Sequence, residues 1–289
     1  MLKKHMTLCA IAMIAFSSCQ DQISIPDNNE ENPDKGTEEI VYPIEKTFYS
    51  VDGFSKTLLN DTQVLWERGD KINIFWSEAG GGRTSALANP YNSSLEAQFV
   101  ASVSEDAQTF YAVHPYSDAA SLSDEKVTVT VPAVQDGTFS SASIAAAKAD
   151  AYDHLAFKHM VSFVEFTTDK CGTLTFSCGP DIAGNVTATF DEDGKLLSCT
   201  QTGSSDVITV EIPCSGTYYI ALLPEVEMDF LSFTLTNGST TEYILSTKPK
   251  TMTRGKLIGL GNITDRFSNE RHWGATTEDF TIVEFDFSF

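Results

Sequence analysis

The sequence has few positive charges, with 19 Lys and Arg against 40 Asp and Glu, which gives a formal net charge of −21 at pH 7. A chain this acidic repels phosphate backbones, so nucleic-acid binding is excluded as its expected role. The sequence also lacks a long hydrophobic run. The apolar stretch at residues 8–16 is far shorter than the roughly 20 residues of a membrane-spanning helix, so we expect no transmembrane anchor.

Catalytic, metal-binding and nucleotide-binding motifs are also missing. There is no Cys-x-x-Cys, no Gly-x-Ser-x-Gly and no His-Glu-x-x-His. EAGGGRTS at 78–85 lacks the Gly-Lys-Ser/Thr of a phosphate loop, and DEDG at 191–194 lacks the spaced oxygen ligands of a calcium loop, so both predict hairpin turns. His154 and His159 would lie on opposite faces of a strand and cannot easily share a metal. We therefore expect no enzymatic activity, no metal and no cofactor.

The beginning of the chain has the layout of a bacterial export signal. Positive residues at 3–5 precede the apolar run at 8–16, and two serines separate that run from Cys19. A cysteine directly after small residues is the pattern read by lipoprotein signal peptidase. The layout predicts a lipoprotein signal peptide at residues 1–18 and acyl chains on Cys19 that hold the protein on a membrane. The alternative is an ordinary secretory signal with an incidental cysteine.

The segment after Cys19 is acidic and poor in large apolar residues. QDQISIPDNNEENPDKGTEEI at 20–40 carries seven acidic residues and one Lys. Such a composition cannot bury enough surface to offset its ordering entropy. The sequence predicts a disordered acidic tether at residues 19–44.

Four further cysteines fall in one region of the chain. They are Cys171, Cys178, Cys199 and Cys214. Outside the cytoplasm this even set could form two disulfides, with three possible pairings, or the residues could remain free thiols. Cys178 also continues the alternation of Leu174 and Phe176, as a small core residue would.

Alternation of apolar and polar residues dominates the rest of the sequence. Val127, Val129 and Val131 are one example, and Asp193-Gly194 and Asn237-Gly238 are typical hairpin turns between such segments. Only SSASIAAAKADAYD, at 140–153, has the serine cap and alanine run of a helix. Short strands with frequent turns predict an all-β chain of β-sandwiches with one short helix.

The strand patterns divide into two groups, which predicts two domains. We expect an N-terminal β-sandwich at 45–155, a C-terminal β-sandwich at 156–263, and a tail at 264–289. The tail ends in a strongly alternating segment that predicts a terminal strand. Its apolar positions are Val283, Phe285, Phe287 and Phe289.

Six segments occur in an order that is familiar from one family. They are LWERGDKINIFW (65–76), TFYAVHPY (109–116), LAFKHMVSFVEF (155–166), GTYYIALLP (216–224), LSFTLTNGSTTEYILS (231–246) and MTRGKLIGLGNI (252–263). Together with the lipoprotein signal they resemble the fimbrillin-like family of Bacteroidales, the type V pilins, over most of residues 45–263.

The resemblance implies a fold and a way of assembling. It implies two tandem transthyretin-like β-sandwich domains with Greek-key type connections, and a non-enzymatic lipoprotein exposed on the cell outer membrane or in a fimbrium. Its partners would be other fimbrial subunits and a host or bacterial surface ligand or glycan. In the family's pilins a trypsin-like protease cuts after an arginine and removes the first strand, and a strand from another subunit fills the exposed groove.

The resemblance also points to residues of this chain. The first strand would correspond to TFYSVDGF at 47–54, with the cut between Lys56 and Thr57. A lysine in place of the arginine departs from the family pattern, and Lys46 is a second candidate. Val283, Phe285, Phe287 and Phe289 could form the donor strand, or could pair within their own domain.

A different function stays open on the sequence alone. A monomeric surface lipoprotein could bind glycans with exposed aromatic side chains. The candidates are Trp66, Trp76 and Trp273, although tryptophans near strand patterns more often belong to a core.

Overall fold

Strands make up most of the described structure. The computed structural model describes residues 43–50, 58–60, 63–78, 80–89, 94–247, 250–271 and 283–286. The strands up to residue 155 are β1 (Pro43–Ser50), β2 (Leu58–Asn60), β3 (Gln63–Leu65), β4 (Lys71–Trp76), β5 (Gly82–Leu87), β6 (Gln98–Ser104), β7 (Tyr111–His114), β8 (Ser121–Ser123), β9 (Lys126–Val131), β10 (Val134–Gln135), β11 (Ala145–Lys148) and β12 (His154–Leu155). The later strands are β13 (Lys158–His159), β14 (Ser162–Thr168), β15 (Gly172–Ser177), β16 (Ala183–Phe190), β17 (Leu196–Ser205), β18 (Val207–Ile212), β19 (Gly216–Leu222), β20 (Val226–Met228), β21 (Leu231–Asn237), β22 (Thr240–Ser246), β23 (Lys250–Met252), β24 (Lys256–Asn262) and β25 (Val283–Asp286). The helices among these residues are α1 (Phe139–Ala142) and a 3₁₀ turn at Thr264–Arg266.

The strands form several sheets, which confirms the expected all-β sandwich fold. In the described part of the chain, the larger sheets have the orders β12-β1-β6, β13-β11-β7-β4-β5, β17-β16-β9-β8, β10-β18-β15-β21-β22 and β19-β14-β24-β25. The small ribbons β2-β3 and β20-β23 accompany them. No helix in the described residues is long and apolar enough to cross a membrane.

Two clusters of buried side chains hold these sheets together. The first, which we call the N-terminal core, contains Trp66 at 1% exposure, with its ring centroid 5.1 Å from that of Phe99 and 5.3 Å from that of Phe157. The second, the C-terminal core, is built mainly on strands after residue 155, for example around Phe166 and Phe233, whose rings are 5.4 Å apart. Burial of such side chains is the main stabilising contribution to folding.

The sheet β13-β11-β7-β4-β5 lies between the two cores. Ile74 of β4 belongs to the N-terminal core, and the next residue, Phe75, belongs to the C-terminal core. The same alternation holds for Ala112 and Val113 of β7. Because successive side chains of a strand point to opposite faces, the middle strands β4, β7 and β11 are buried on both sides. The edge strand β5 differs, since Leu87 is 57% exposed.

The prediction of a helix at 140–153 is wrong for most of that segment. Helix α1 ends at Ala142, and its first turn is capped by Thr138 Oγ1, which accepts a hydrogen bond of 3.3 Å from the Ser141 amide. Residues 145–148 instead form β11, between β7 and β13. Alanine favours helices only weakly, and burial between two cores selects small residues at this place in a strand.

Ala146→Leu tests this two-sided burial. Ala146 is fully buried in the sheet between the two cores, so the larger side chain should lower the free energy of unfolding by about 1–3 kcal/mol. Urea unfolding measures the change, and Ala119→Leu, at an exposed turn, is the matched control. Equal stability of both variants would show that β11 has room on this face.

The predicted hairpin turns are confirmed. Gly194 follows Asp193 with a φ of +84°, and the Asp191 amide donates to the Lys195 carbonyl oxygen at 3.0 Å between β16 and β17. Gly238, with a φ of +59°, joins β21 to β22. The glycine-rich segment 78–85 joins β4 to β5 through the pair Trp76 and Gly82. Asp193-Gly194 and Asn237-Gly238 form turns because the glycine supplies the positive φ that each turn needs.

Some pairings cross the expected domain boundary at residue 155. Strand β9 pairs with β16, and β10 pairs with β18, so residues 126–135 share sheets with later strands. In the other direction, β13 joins the sheet between the cores. The division into domains at 45–155 and 156–263 stays a prediction.

Candidate functional site

The first described strand is held between two strands that come later in the chain. Strand β1 pairs antiparallel with β6 from Pro43–Ser104 to Tyr49–Gln98, and parallel with β12 through Tyr49–His154 and Ser50–Leu155. We call the position between β6 and β12 the strand slot. Because β1 occupies its centre, each neighbour would lose main-chain hydrogen bonds if this strand left.

One large side chain anchors β1 in the N-terminal core. Phe48 is fully buried, and its ring centroid lies 5.1 Å from that of Phe110 at an interplanar angle of 69°. The neighbouring Tyr49 is 41% exposed, and Ile44 is 40% exposed. Besides Phe48, only Ser50 is buried in this strand, at 4% exposure. The strand therefore depends on its backbone pairings and on a single apolar anchor.

Lys46 makes two contacts within the strand slot. Its Nζ lies 2.8 Å from Asp153 Oδ1 and 4.9 Å from the ring centroid of Phe110. Both charged side chains keep partial solvent access, at 26% and 30%, so the ion pair is worth about 0–1 kcal/mol. The backbone of Lys46 is paired with Ala101. A protease could reach this peptide only after β1 opens.

The carboxyl end of β1 is fixed by three hydrogen bonds. The Ser50 amide donates to the Ala97 carbonyl oxygen at 2.9 Å, and Ser50 Oγ accepts from the Ala97 amide at 2.7 Å. The Tyr49 amide donates to the Asp153 carbonyl oxygen at 3.0 Å. Lys56 and Thr57, the candidate cleavage residues, lie outside the described residues, a few positions further along.

The C-terminal strand lies at a sheet edge within its own chain. Strand β25 pairs antiparallel with β24, from Gly259–Val283 to Lys256–Asp286, at the end of the sheet β19-β14-β24-β25. This is the arrangement that pairing within one domain predicts. Phe287 and Phe289 lie outside the described residues, and donation of this strand to another subunit stays a prediction.

One of the candidate tryptophans lines an open cleft. Trp76 borders a cleft of about 540 Å³ between β5 and β8, together with Arg83 and Asp124. The indole packs on Gly82, where a Cβ atom would come within 2.2 Å of the ring. Arg83 donates to the Asp118 carbonyl oxygen at 2.9 Å. Trp66 is buried in the N-terminal core, and Trp273 lies outside the described residues.

The cysteines divide into two kinds, and all four are free in this structure. Cys178 is fully buried, and its burial raises the pKa of the thiol to about 12. Burial likewise raises the pKa of Cys199 to about 11. Cys171 and Cys214 are exposed. Cys19, the candidate lipidation residue, lies outside the described residues.

In the part of the chain that the structure describes, no three His, Cys, Asp or Glu side chains lie close enough together to hold a metal ion. His154 Nδ1 lies 3.2 Å from Asp150 Oδ2, whereas His159 is buried.

Sequence reasoning missed the partners that hold β1. Phe110 lies more than 60 positions after Phe48 in the sequence, and Asp153 lies more than 100 positions after Lys46. A local pattern predicts a strand but not its neighbours, because pairing in a sheet is decided by packing at long range. The only signal in the sequence was the alternation of TFYS itself.

This chain is similar to one protein family and to several solved structures. Residues 57–261 match the model of a family described as fimbrillin-like. Among solved structures, a candidate cell adhesion protein from Bacteroides ovatus ATCC 8483 is similar with a TM-score of 0.44 and 12% identity, over 84% of this chain and 96% of that chain. The C-terminally truncated tip fimbrial protein Mfa3 from Porphyromonas gingivalis has a TM-score of 0.36 and 8% identity, over 83% of this chain and 100% of that chain. No curated protein matches.

Proposed function

We propose that this chain, which belongs to the fimbrillin-like family, is a fimbrial subunit or an accessory anchor or tip protein. In this proposal it assembles by β-strand exchange. Family membership makes it a fimbrial or adhesion-related protein of the cell surface, and favours a structural, non-enzymatic role. The finer proposal adds a lipid on Cys19, which holds the chain on the outer membrane. Its partners are other fimbrial subunits.

The observation that carries the proposal is the strand slot. If β1 is removed, β6 and β12 lose their shared neighbour, and the cavity of Phe48 opens beside Phe110. Unpaired strand edges next to an apolar groove bind an incoming strand through main-chain hydrogen bonds, and pockets for alternate side chains set its register. The slot thus has the chemistry of a site for a donated strand.

The contacts of β1 favour Lys56 over Lys46 as the cleavage site. Lys46 is held by Asp153 and Phe110, and its peptide is paired with β6. Cleavage there would require the strand to open first. Lys56 follows the end of β1, so a cut after it would release the whole strand. The family match begins at residue 57, directly after this position.

Strand β25 is the proposed donor. Among the described residues it pairs only with β24, through four residue pairs, whereas β1 has seven pairs with β6 and two with β12. Leaving its own sheet therefore costs fewer main-chain bonds than filling the slot of another subunit would form. The alternation from Val283 to Phe289 would supply apolar side chains at every second position.

Limited trypsin digestion of the chain from residue 20 tests the cleavage. We expect a new N-terminus at Thr57, followed by oligomers, because the cut frees β1 and opens the slot. N-terminal sequencing and native mass spectrometry measure both. Lys56→Gln should abolish both results, and Lys46→Gln is the matched control that should keep them. A cut confined to residues 20–46, with the protein still monomeric, would contradict assembly through Lys56.

Deleting residues 280–289 identifies the donor. The shortened chain should still be cut after Lys56 but should remain monomeric. Oligomers of normal size from this variant would assign the donated strand to another part of the chain.

The cleft at Trp76 supports a second candidate function, the binding of a surface glycan. An indole beside Arg83 and Asp124 could offer a stacking face and polar groups to a sugar ring. Trp76→Ala and Trp273→Ala, compared on a glycan array, would separate this function from assembly. Loss of sugar binding with normal oligomers would favour it.

A further inference from the structure

We propose that Cys171 and Cys214 form a disulfide that joins the ends of β15 and β18. The two cysteines lie at the same end of one sheet. Strand β15 begins at Gly172 and β18 ends at Ile212, and Gly172 is paired with Ile212. Cys171 directly precedes the first of them, and Cys214 follows the second after one proline. No pairing of the four cysteines follows from their spacing alone.

Contacts on both sides of the two cysteines keep them close. The pair Gly172–Ile212 lies on one side, and on the other Ser215 Oγ donates a hydrogen bond of 2.7 Å to Asp169 Oδ1. If the ladder continued by one step, with neighbouring strands about 5 Å apart and a rise of about 3.4 Å per residue, the two Cα atoms would be roughly 6 Å apart. Disulfides span Cα separations of about 4.4–6.8 Å, so the estimate lies within their range.

The backbone next to Cys171 departs from a regular ladder, which matters for the directions of the two cysteine side chains. In a regular antiparallel ladder, residues offset by one position would point to opposite faces. Gly172 has a φ of +141°, outside the extended region, and its missing Cβ would clash at 2.4 Å with the Thr236 carbonyl oxygen. Cys171 thus lies beyond the last regular pair of the ladder, where the alternation of faces no longer fixes the direction of its side chain. The Tyr218 hydroxyl donates to the Cys214 carbonyl oxygen and so helps to hold the backbone of this cysteine.

Both thiols can be reached from solvent. Cys171 lines an open cleft of about 420 Å³ beside Lys170 and Glu242, and Cys214 is exposed. Cys178 and Cys199 differ, because their burial keeps them protonated at neutral pH and unreactive. They also lie on different sheets, since Cys199 pairs with Ala188 and Cys178 follows β15. All four thiols are free in this structure, and the accessible pair, Cys171 and Cys214, is the pair that we expect to be oxidised.

Oxidised glutathione is the oxidant for formation of this disulfide in vitro. One cysteine thiolate attacks the glutathione disulfide and releases one glutathione, and the second cysteine thiolate then attacks the mixed disulfide and releases the other. The Sγ–Sγ bond forms, both thiol protons are lost, and two electrons reduce oxidised glutathione to two thiols. In a cell, a disulfide-carrying oxidoreductase outside the cytoplasm would accept the same electrons. Only this cellular step rests on the proposed export.

The test uses the full chain, purified in reduced form and then treated with oxidised glutathione. Trypsin leaves Cys171 with Cys178 on one peptide and Cys199 with Cys214 on another, so a second digestion with chymotrypsin is needed, which cuts after Phe176. Asp-N separates Cys199 from Cys214 at Asp206. We expect one linked pair that contains Cys171 and Cys214, lighter by two hydrogen masses, and a melting temperature raised by roughly 5–15 °C.

Two variants serve as controls. Cys178→Ala/Cys199→Ala should form the same link, and Cys214→Ser should show no rise in melting temperature on oxidation. Separate glutathione adducts on Cys171 and Cys214, or continued alkylation of both after oxidation, would overturn the proposal. Because this result is independent of oligomer formation, it can fail while strand exchange holds, and the reverse is also true.

Discussion

Phe48→Ala should lower the free energy of unfolding by about 3–5 kcal/mol, one of the two largest effects that we expect from a single substitution in this chain. Phe48 is fully buried, and its ring packs edge-on against Phe110. Truncation removes the burial of the ring and leaves a cavity in the N-terminal core. It also removes the only large apolar anchor of β1, so the strand itself should open more often. Urea unfolding and hydrogen exchange of the β6 amides measure the two effects.

Tyr49→Ala is the matched control for this prediction. Tyr49 is the next residue of the same strand, but 41% of it is exposed, so we expect a loss of only about 1 kcal/mol. Trypsin gives a further readout, because a looser β1 should make Lys46 a substrate in Phe48→Ala alone. Similar losses in the two variants would show that β1 is held by its backbone and not by the core.

Lowering the pH from 7 to 5 should cost about 2 kcal/mol of stability through His114 alone. His114 is 1% exposed, and burial lowers its pKa from the ordinary value of 6.5 to about 4. Its Nδ1 lies 3.0 Å from the Ser143 carbonyl oxygen, which only accepts, so Nδ1 carries the proton and donates it. Acid would have to protonate Nε2 in a buried position beside Trp66, whose ring centroid lies 5.2 Å from that of His114.

The sign follows from proton binding in the two states. As the pH falls below 6.5, His114 takes up a proton in the unfolded chain, whereas in the folded chain it stays neutral down to about 4. The unfolded state binds more protons in this window, so stability is complete above pH 6.5 and is lost as the pH falls towards 4. Hydrogen bonds lower the pKa of Asp136 and Asp150, and their contributions are lost only at more acid pH.

Urea titrations across this pH window measure the effect. His114→Gln should be less stable at pH 7 and should have a flatter dependence on pH. His154→Gln, which changes a partly exposed histidine paired with Asp150, should keep the full slope. An unchanged slope in His114→Gln would assign the proton uptake to another group.

The parts of the fold that the sequence predicts well are the local ones. Asn237-Gly238 and Asp193-Gly194 place their turns correctly because the required backbone conformation depends on those two residues alone. The alternation at Val127–Val131 predicts β9 for the same reason. These features need no knowledge of distant contacts.

The features that the sequence does not predict depend on packing across the chain. AAAK at 145–148 has helical propensity but forms β11, because small side chains fit a strand buried between two cores. In the sequence, β1 is an alternating segment that carries no indication of its neighbours. Its partners, β6 and β12, and its anchor beside Phe110 are set by long-range contacts.

The unequal attachment of β1 and β25 has a mechanical consequence. If the proposed lipid on Cys19 anchors the chain and a partner pulls at its far end, tension passes through both of these strands. Tension along β1 is shared by pairings on both of its sides, whereas β25 resists with four pairs on one side. Survival under load depends on the rate of rupture, and the strand with fewer shared bonds ruptures sooner. Flow across a cell would therefore detach β25 first and leave the N-terminal core closed.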